Sequence, residues 1–284
     1  MKRAINLDSM FVPVAFRPEI EFENMRFNGG EVHIKLNNNI NYDEIESVVI
    51  THRITDSDKL MEVLLAHDAL KRKGVKKFDL VMPYIPYARQ DRVCVNGESF
   101  SLKVFANLIN SLKFDNVFVL DAHSGISPAL IDGCVNISNE NYVERAIADI
   151  RGVINKIVLV SPDSGANKKS NELFEKAAYF KSLVKCDKKR DVSNGKLSGF
   201  EVFCDDLGGA PCMIVDDICD GGGTFVGIAK ELKKKNAGDI YLFVSHGIFS
   251  KGFDELAQYF KKIYTTNSFK DVKNELVTQF KIEL

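Results

Sequence analysis

Apolar residues collect in short runs along the chain: I-E-S-V-V-I (45–50), F-D-L-V-M (78–82), V-F-V-L-D (117–121), K-I-V-L-V-S (156–161), C-M-I-V-D (212–216) and I-Y-L-F-V (240–244). Helical patterning fills the intervals. Near-continuous apolar strands alternating with amphipathic helices predict parallel sheets covered on both faces. Asp56 and Ser57 predict a cap ahead of a helix with Leu60, Met61, Leu64 and Leu65 on its inner face, and Gly74 follows its basic last turn. Ser99 or Ser101 is expected to cap the next, with Val104, Phe105, Leu108, Ile109 and Leu112 at helical spacing. A third helix follows Thr224 and ends near Asn236 and Gly238, its Lys233 to Lys235 run reading as a solvated helix end. The strand, helix, strand series occurs before about residue 140 and again after it. The fold class predicted is therefore α/β, with two doubly wound parallel-sheet domains spanning 1–140 and 141–284.

Length agrees, since 284 residues exceed what one core usually fills, roughly 250. With 38 basic against 39 acidic side chains, the chain has no general attraction for nucleic acid or an anionic membrane. The N-terminus carries two basic residues but no apolar stretch long enough for a signal peptide, so a cytoplasmic protein is expected. Six cysteines stand without a C-x-x-C pair or metal-ligand spacing, which favours reduced thiols.

Chemistry is expected at the carboxyl ends of the strands. Three of the runs lead into acids: Asp121 before Ala122-His123-Ser124, Asp163 in P-D-S-G, and Asp216-Asp217. Any one of them alone reads best as a helix cap; together they indicate a site. In V-D-D-I-C-D-G-G-G-T (215–224), Gly221, Gly222 and Gly223 let backbone N–H groups turn toward an anion, and Thr224 adds a hydroxyl at a helix start. Asp216, Asp217 and Asp220 suit sugar hydroxyls or a water-held Mg²⁺. A phosphorylated sugar satisfies both demands. In P-Y-I-P-Y-A-R-Q-D-R (83–92), Arg89 and Arg92 offer planar donors suited to phosphate, the alternative being a surface turn with two solvated arginines. Asn194-Gly195 predicts a hairpin whose first arm, C-D-K-K-R (186–190), is basic.

These residues resemble the ribose-phosphate pyrophosphokinases, also called phosphoribosyl pyrophosphate synthetases. The resemblance rests on P-Y-I-P-Y-A-R-Q-D (83–91), L-D-A-H-S (120–124), V-S-P-D-S-G-A-N-K-K (160–169), I-V-D-D-I-C-D-G-G-G-T (214–224) and V-S-H-G-I-F-S (244–250), in the family's order. It implies phosphoribosyltransferase-like domains, an ATP-side N-terminal one and a sugar-phosphate-binding C-terminal one with a catalytic flap. The reaction implied is Mg²⁺-dependent transfer of a pyrophosphoryl group from ATP to the anomeric hydroxyl of ribose 5-phosphate, releasing AMP.

By the same resemblance, Arg89, Gln90 and Arg92 contact ATP, and His123 and Asp163 organise Mg²⁺. Phe27 and Glu31 match the adenine-contacting F-S-N-Q-E, with Gly29 in place of its asparagine. Lys188 and Arg190 match the flap's Lys-x-Arg pair, with Lys185 or Lys189 as alternatives, and Asp220 is the candidate acid beside the sugar hydroxyl. Gly221 stands where the family's D-T-x-G-T loop has a hydroxyl, which is expected to open space beside the 5′-phosphate. A larger acceptor, ADP-ribose, is the alternative this suggests; its product, ADP-ribose pyrophosphate, would serve NAD salvage. A non-catalytic homologue is the alternative of another class. The stretch after His123 lacks the family's Q-I-Q-G-F-F run, and the sequence stops before the family's C-terminal helix. A homo-oligomer, a dimer or larger, with weak ADP regulation is therefore expected.

Overall fold

The structure, a computed structural model, describes residues 1–14, 19–151, 156–190 and 197–284, and of Arg151, Lys189, Arg190, Leu197 and Ser198 the backbone alone. These residues group into two compact units: Met1–Ser138 with Ser268–Lys270 and Lys281–Leu284, and Asn139–Asn267 with Asp271–Phe280. A single cut near residue 140 therefore does not partition the C-terminal segment. The Leu284 amide donates to the Pro13 carbonyl at 2.8 Å, and the Phe269 ring meets Tyr84 edge-on.

The first unit comprises β1 (Lys2–Asn6), a hairpin of β2 (Phe22–Arg26) and β3 (Val32–Leu36), β4 (Ser47–Thr51), α1 (Ser57–Arg72), β5 (Lys77–Val81), α2 (Ser101–Ser111), β6 (Asn116–Leu120), α3 (Ile126–Leu130) and β7 (Cys134–Ile137). Its main sheet runs β1-β4-β5-β6-β7, all parallel. β4 is buried along its whole length, and Val48, Ile50, Leu80, Val117 and Val119 form the core with Leu102, Phe105 and Ile109 of α2. Asp56 caps α1 as expected, accepting from the Lys59 amide at 3.0 Å. Neither serine caps α2: the helix starts at Ser101, so Phe100 takes the cap position, and the Ser99 and Ser101 hydroxyls bond each other at 2.8 Å.

One polar feature fastens this unit. Asp8 Oδ2 accepts from Arg53 Nε at 2.6 Å, Asp8 Oδ1 accepts from the Met10 amide at 3.0 Å, and the guanidinium lies over the fully buried Phe11 ring at 5.5 Å. Burial alone would raise the Asp8 pKa, but the hydrogen bond and charge of Arg53 outweigh it and hold the carboxyl below its usual range.

The second unit comprises α4 (Glu140–Arg151), β8 (Ile157–Ser161), α5 (Asn167–Lys176), β9 (Phe180–Arg190), β10 (Leu197–Val202), β11 (Cys212–Cys219), α6 (Gly223–Lys234), β12 (Ile240–Gly247), β13 (Lys262–Thr266) and β14 (Val277–Phe280). Its strands run β10-β9-β8-β11-β12-β13-β14, parallel except for the antiparallel β9/β10 pair. The expected basic hairpin is that pair; its Asn194-Gly195 turn lies outside the described residues. β11 and β12 run on past their apolar runs because their pairing continues through Asp216 with Val244 to Cys219 with Gly247. Asp216, expected as the last residue of this strand, and Asp217, expected just after it, both lie inside β11. Burial pushes the thiols of Cys186, Cys212 and Cys219 up to about 12, whereas Cys94 is exposed. Among the described residues no helix is long and apolar enough to cross a membrane.

Candidate functional site

In the second sheet the strand order reverses between β8 and β11: the chain moves from β8 outward to β9 on one side, then returns to β11 on the other. Such a reversal leaves a crevice at the carboxyl ends of the two strands, where connecting loops diverge. Pairing of β11 with β8 stops at Ile214 with Val160, while β11 continues against β12 alone. The P-D-S-G and D-G-G-G-T loops leave from these two strands.

Asp163, just beyond β8, folds its own loop: Oδ1 accepts from the Ala166 amide at 3.1 Å, which turns the chain into α5. Its Oδ2 accepts from Lys188 Nζ at 2.7 Å. Lys188 lies on the far part of β9, opposite Phe200 of β10. The Phe200 ring rests on α6 at Gly227, where a β-carbon would fall inside its contact distance. The arm bearing Lys188 is thereby seated on the helix that follows the glycine loop. Of the alternatives for the flap cation, Lys185 is exposed, and the side chains of Lys189 and Arg190 lie outside the described residues.

Along β11 the acids crowd together. Asp216 Oδ1 accepts from the Asp217 amide at 2.9 Å. Although part of the Asp216 residue reaches solvent, its carboxyl pKa is held well above the usual range, by burial first, then by the neighbouring Asp217 charge, with Asp163 adding to it. Asp220 accepts from the Ser250 hydroxyl at 2.7 Å, and its carbonyl accepts from the Ser250 amide at 3.0 Å. Gly222 takes φ 80° at the start of α6, a left-handed backbone that glycine adopts without strain. Gly223 is exposed and Thr224 half-buried in the first turn. The space beside Gly221 is not open as expected: a β-carbon there would meet Cδ of Lys251 at 3.2 Å and Cε at 3.3 Å.

In the first unit, Tyr87 and Asp121 carry positive φ, 61° and 43°, in the two segments singled out from the sequence. The Leu120 amide donates to the Pro83 carbonyl at 2.9 Å, tying those segments together. Arg89, Gln90, Arg92 and His123 are exposed. Asp91, buried between them, accepts from Arg92 Nε and from the Ser124 hydroxyl, both at 2.8 Å. The Arg92 bond, above all, lowers the Asp91 pKa. One edge of the Arg92 guanidinium is thus already engaged by Asp91. Phe27 is exposed at the tip of the β2/β3 hairpin, where its amide donates to the Glu31 carbonyl at 2.9 Å, with Gly30 at φ 99° in the turn.

The structure therefore brings Asp163 to Lys188, Asp216 to Asp217 and Asp220 to Ser250. His123 belongs to the first unit and Asp163 to the second. The sequence reading gave no role to Asp91, Ser250, Lys251 or Phe200. Asp91 and Ser250 lie within the quoted motifs; Lys251 and Phe200 carry no local signal, because only tertiary packing brings them to the glycine loop and to α6. For a divalent ion, Asp163, Asp216 and Asp217 are hard oxygen donors whose mutual repulsion a cation would relieve. Among the described residues no three metal-ligating side chains form a cage, and carboxylates of this kind suit an ion such as Mg²⁺ that keeps several waters.

The strand topology and strand-end acids define an α/β protein of parallel sheets. The crystal structure of phosphoribosylpyrophosphate synthetase from Mycobacterium smegmatis shares that fold, with a TM-score of 0.81 at 24% identity over 93% of this chain and 87% of that one. The N-terminal domain of ribose phosphate pyrophosphokinase, as a family, matches residues 17–112. The chain is 32% identical over 231 residues to the ribose-phosphate pyrophosphokinase of Agrobacterium fabrum, covering 80% of this chain and 72% of that protein. It is 32% identical over 259 residues to that of Mycoplasmopsis pulmonis, covering 90% and 78%. The chain belongs to the ribose-phosphate pyrophosphokinase family.

Proposed function

We propose that the protein makes phosphoribosyl pyrophosphate. The anomeric hydroxyl oxygen of ribose 5-phosphate attacks the β-phosphorus of ATP as its proton passes to Asp220 or to solvent, the bond from that phosphorus to the bridging α,β oxygen breaks, and AMP leaves. The observation that carries this reading, in a member of this family, is the reach of Lys188 from the flap arm to Asp163 at the mouth of the β8/β11 crevice. Phosphoryl-type transfer needs alignment and charge neutralisation more than covalent chemistry from the protein. Lys188 supplies a cation on an element that can close over a substrate and exclude competing water. Arg89, Gln90, Arg92 and His123 serve the ATP side, with Asp91 fixing one edge of Arg92, and Phe27 and Glu31 serve the adenine. Asp216, Asp217 and Asp220 take the sugar hydroxyls, and the loop from Gly221 to Thr224 takes the 5′-phosphate. Asp163, with Asp216 and Asp217, in the second unit and, separately, His123 in the first are the candidate Mg²⁺ ligands; an ion when bound would supply charge neutralisation on the transferring oxygens. The active species is a homo-oligomer, a dimer or larger, acting in the cytoplasm.

The test is AMP release from ATP and Mg²⁺ with ribose 5-phosphate and with ADP-ribose in parallel, EDTA serving as the control. Turnover of ribose 5-phosphate that EDTA abolishes is the expected result. Because Gly221 offers no hydroxyl, ADP-ribose is the second acceptor to try; turnover of it alone would replace the first reading and point to NAD salvage. Silence with both would leave a non-catalytic homologue.

The seat of the flap arm gives a second measurable expectation. Alanine at 227 should gain about 1 kcal/mol in helix propensity, but the displaced Phe200 ring outweighs it, since overpacking costs about 1–3 kcal/mol. Gly227→Ala is expected to lower kcat roughly tenfold by shifting Lys188. Adding Phe200→Leu should recover part of the loss; an unchanged kcat in Gly227→Ala would show that the seat does not matter.

A further inference from the structure

We infer that Lys251 is a specificity-determining residue that supplies the cation for the acceptor's 5′-phosphate, in the place a hydroxyl-bearing side chain at 221 would otherwise fill. The inference rests on the assignment of the D-G-G-G-T loop to that phosphate. Three observations carry it. First, the Lys251 stem covers Gly221: Cδ, Cε and Cγ lie 3.2, 3.3 and 3.5 Å from where a β-carbon would be. Gly221 does not have a positive φ, so its lack of a side chain is not needed for its backbone conformation. What it leaves is room for the lysine.

Second, the segment presenting Lys251 is fastened to the loop. The amides of Ile248 and Phe249 both donate to the Cys219 carbonyl, at 2.9 and 3.1 Å, and the Ser250 amide donates to the Asp220 carbonyl. The Ser250 hydroxyl adds its bond to the Asp220 carboxylate. Phe249 is held at φ 46° and Gly252 at φ 72°, with the Gly252 amide closing the turn onto the Phe249 carbonyl at 3.1 Å. A non-glycine residue kept in the left-handed region is a cost that the surrounding bonds must hold in place. The turn therefore carries Lys251 with the loop rather than as an independent surface chain.

Third, Lys251 is exposed and makes no ion pair among the described residues. An ammonium on a flexible stem that lies against Gly221 of the glycine loop is a point charge well suited to a phosphate oxygen. A loop that lacks a hydroxyl at 221 but has this cation grips phosphate by charge.

The experiment compares wild type with Lys251→Met, which keeps the stem and removes the charge, and with Lys251→Arg. Calorimetric Kd values for ribose 5-phosphate and ADP-ribose are measured alongside KM and kcat. Loss of one charge-assisted contact predicts a weakening of roughly tenfold or more in Kd and KM for the acceptor. kcat, KM for ATP and the unfolding midpoint should stay within error, and Lys251→Arg should restore acceptor binding. A merely structural lysine would shift the midpoint and leave the Kd unchanged. Weakening confined to ribose 5-phosphate assigns a phosphate monoester; weakening confined to ADP-ribose assigns a diphosphate ester; unchanged Kd for both overturns the inference. Because binding is read without turnover, an inactive wild type would sink the proposed reaction while still testing Lys251.

Discussion

Lys188→Ala is expected to lower kcat for AMP release by about 10²–10³, or roughly 3–4 kcal/mol of transition-state stabilisation. The side chain sits 2.7 Å from Asp163, whose charge already adds to the upward shift at Asp216. Removing the ammonium returns negative charge to a crevice that must accept the still more negative phosphates of ATP. The effect belongs in kcat rather than in acceptor KM, because the flap cation meets charge that develops during transfer. Lys188→Arg should recover a fraction, since a guanidinium keeps the charge but not the ammonium's compact geometry. Lys185→Ala, altering an exposed side chain on the same strand, should leave kcat near that of the wild type. A Lys188→Ala enzyme within threefold of the wild type would remove Lys188 from the mechanism.

The second large effect concerns stability. Asp8→Ala takes the carboxylate from a guanidinium whose side chain is only 6% exposed, and breaking such a buried pair costs about 3 kcal/mol. Urea unfolding of the first unit should move to lower midpoint with little change in slope. The pH dependence has a defined sign. The folded pKa of Asp8 lies below the unfolded value, so its contribution is complete above about pH 4 and is lost as pH falls through the folded pKa. Asp8→Ala should therefore flatten the acid limb of the stability profile below about pH 4 and leave the neutral region uniformly lower. A variant as stable as the wild type at pH 7 would mean that Arg53 is held by its other contacts.

The six strands with continuous apolar runs were legible because burial on both faces leaves few polar positions. β1 and β7 escaped, since K-R-A-I-N and C-V-N-I are short and half polar, as did β14, the edge strand, and its inner neighbour β13, K-I-Y-T-T, with only two apolar residues. The exposed β2, F-E-N-M-R, carries almost no apolar signal, and β3, V-H-I-K-L, alternates over only five residues although Ile34 and Leu36 reach the core. In the candidate site, the acids and the glycine loop were readable because parallel topology places strand ends together. Residues recruited through packing were not. Phe200 comes to Gly227 and Lys251 to Gly221 from segments whose own sequences give no hint of the meeting, and Asp8 is 45 positions from Arg53. The expectation of open space beside Gly221 failed for that reason, because a missing side chain was counted without the neighbour that fills it.

The uneven burial of the thiols gives the protein a built-in attachment point. With Cys186, Cys212 and Cys219 buried and suppressed by burial, Cys134 pushed up to about 11, and half-buried Cys204 also raised by burial, a maleimide fluorophore at neutral pH should modify Cys94 ahead of the others. Cys94 lies two residues beyond Arg92, in a loop where Glu98 accepts from its amide at 2.9 Å. A dye placed there would report nucleotide arrival at the Y-A-R-Q-D-R segment as a change in emission, with no engineered cysteine and no native thiol to delete.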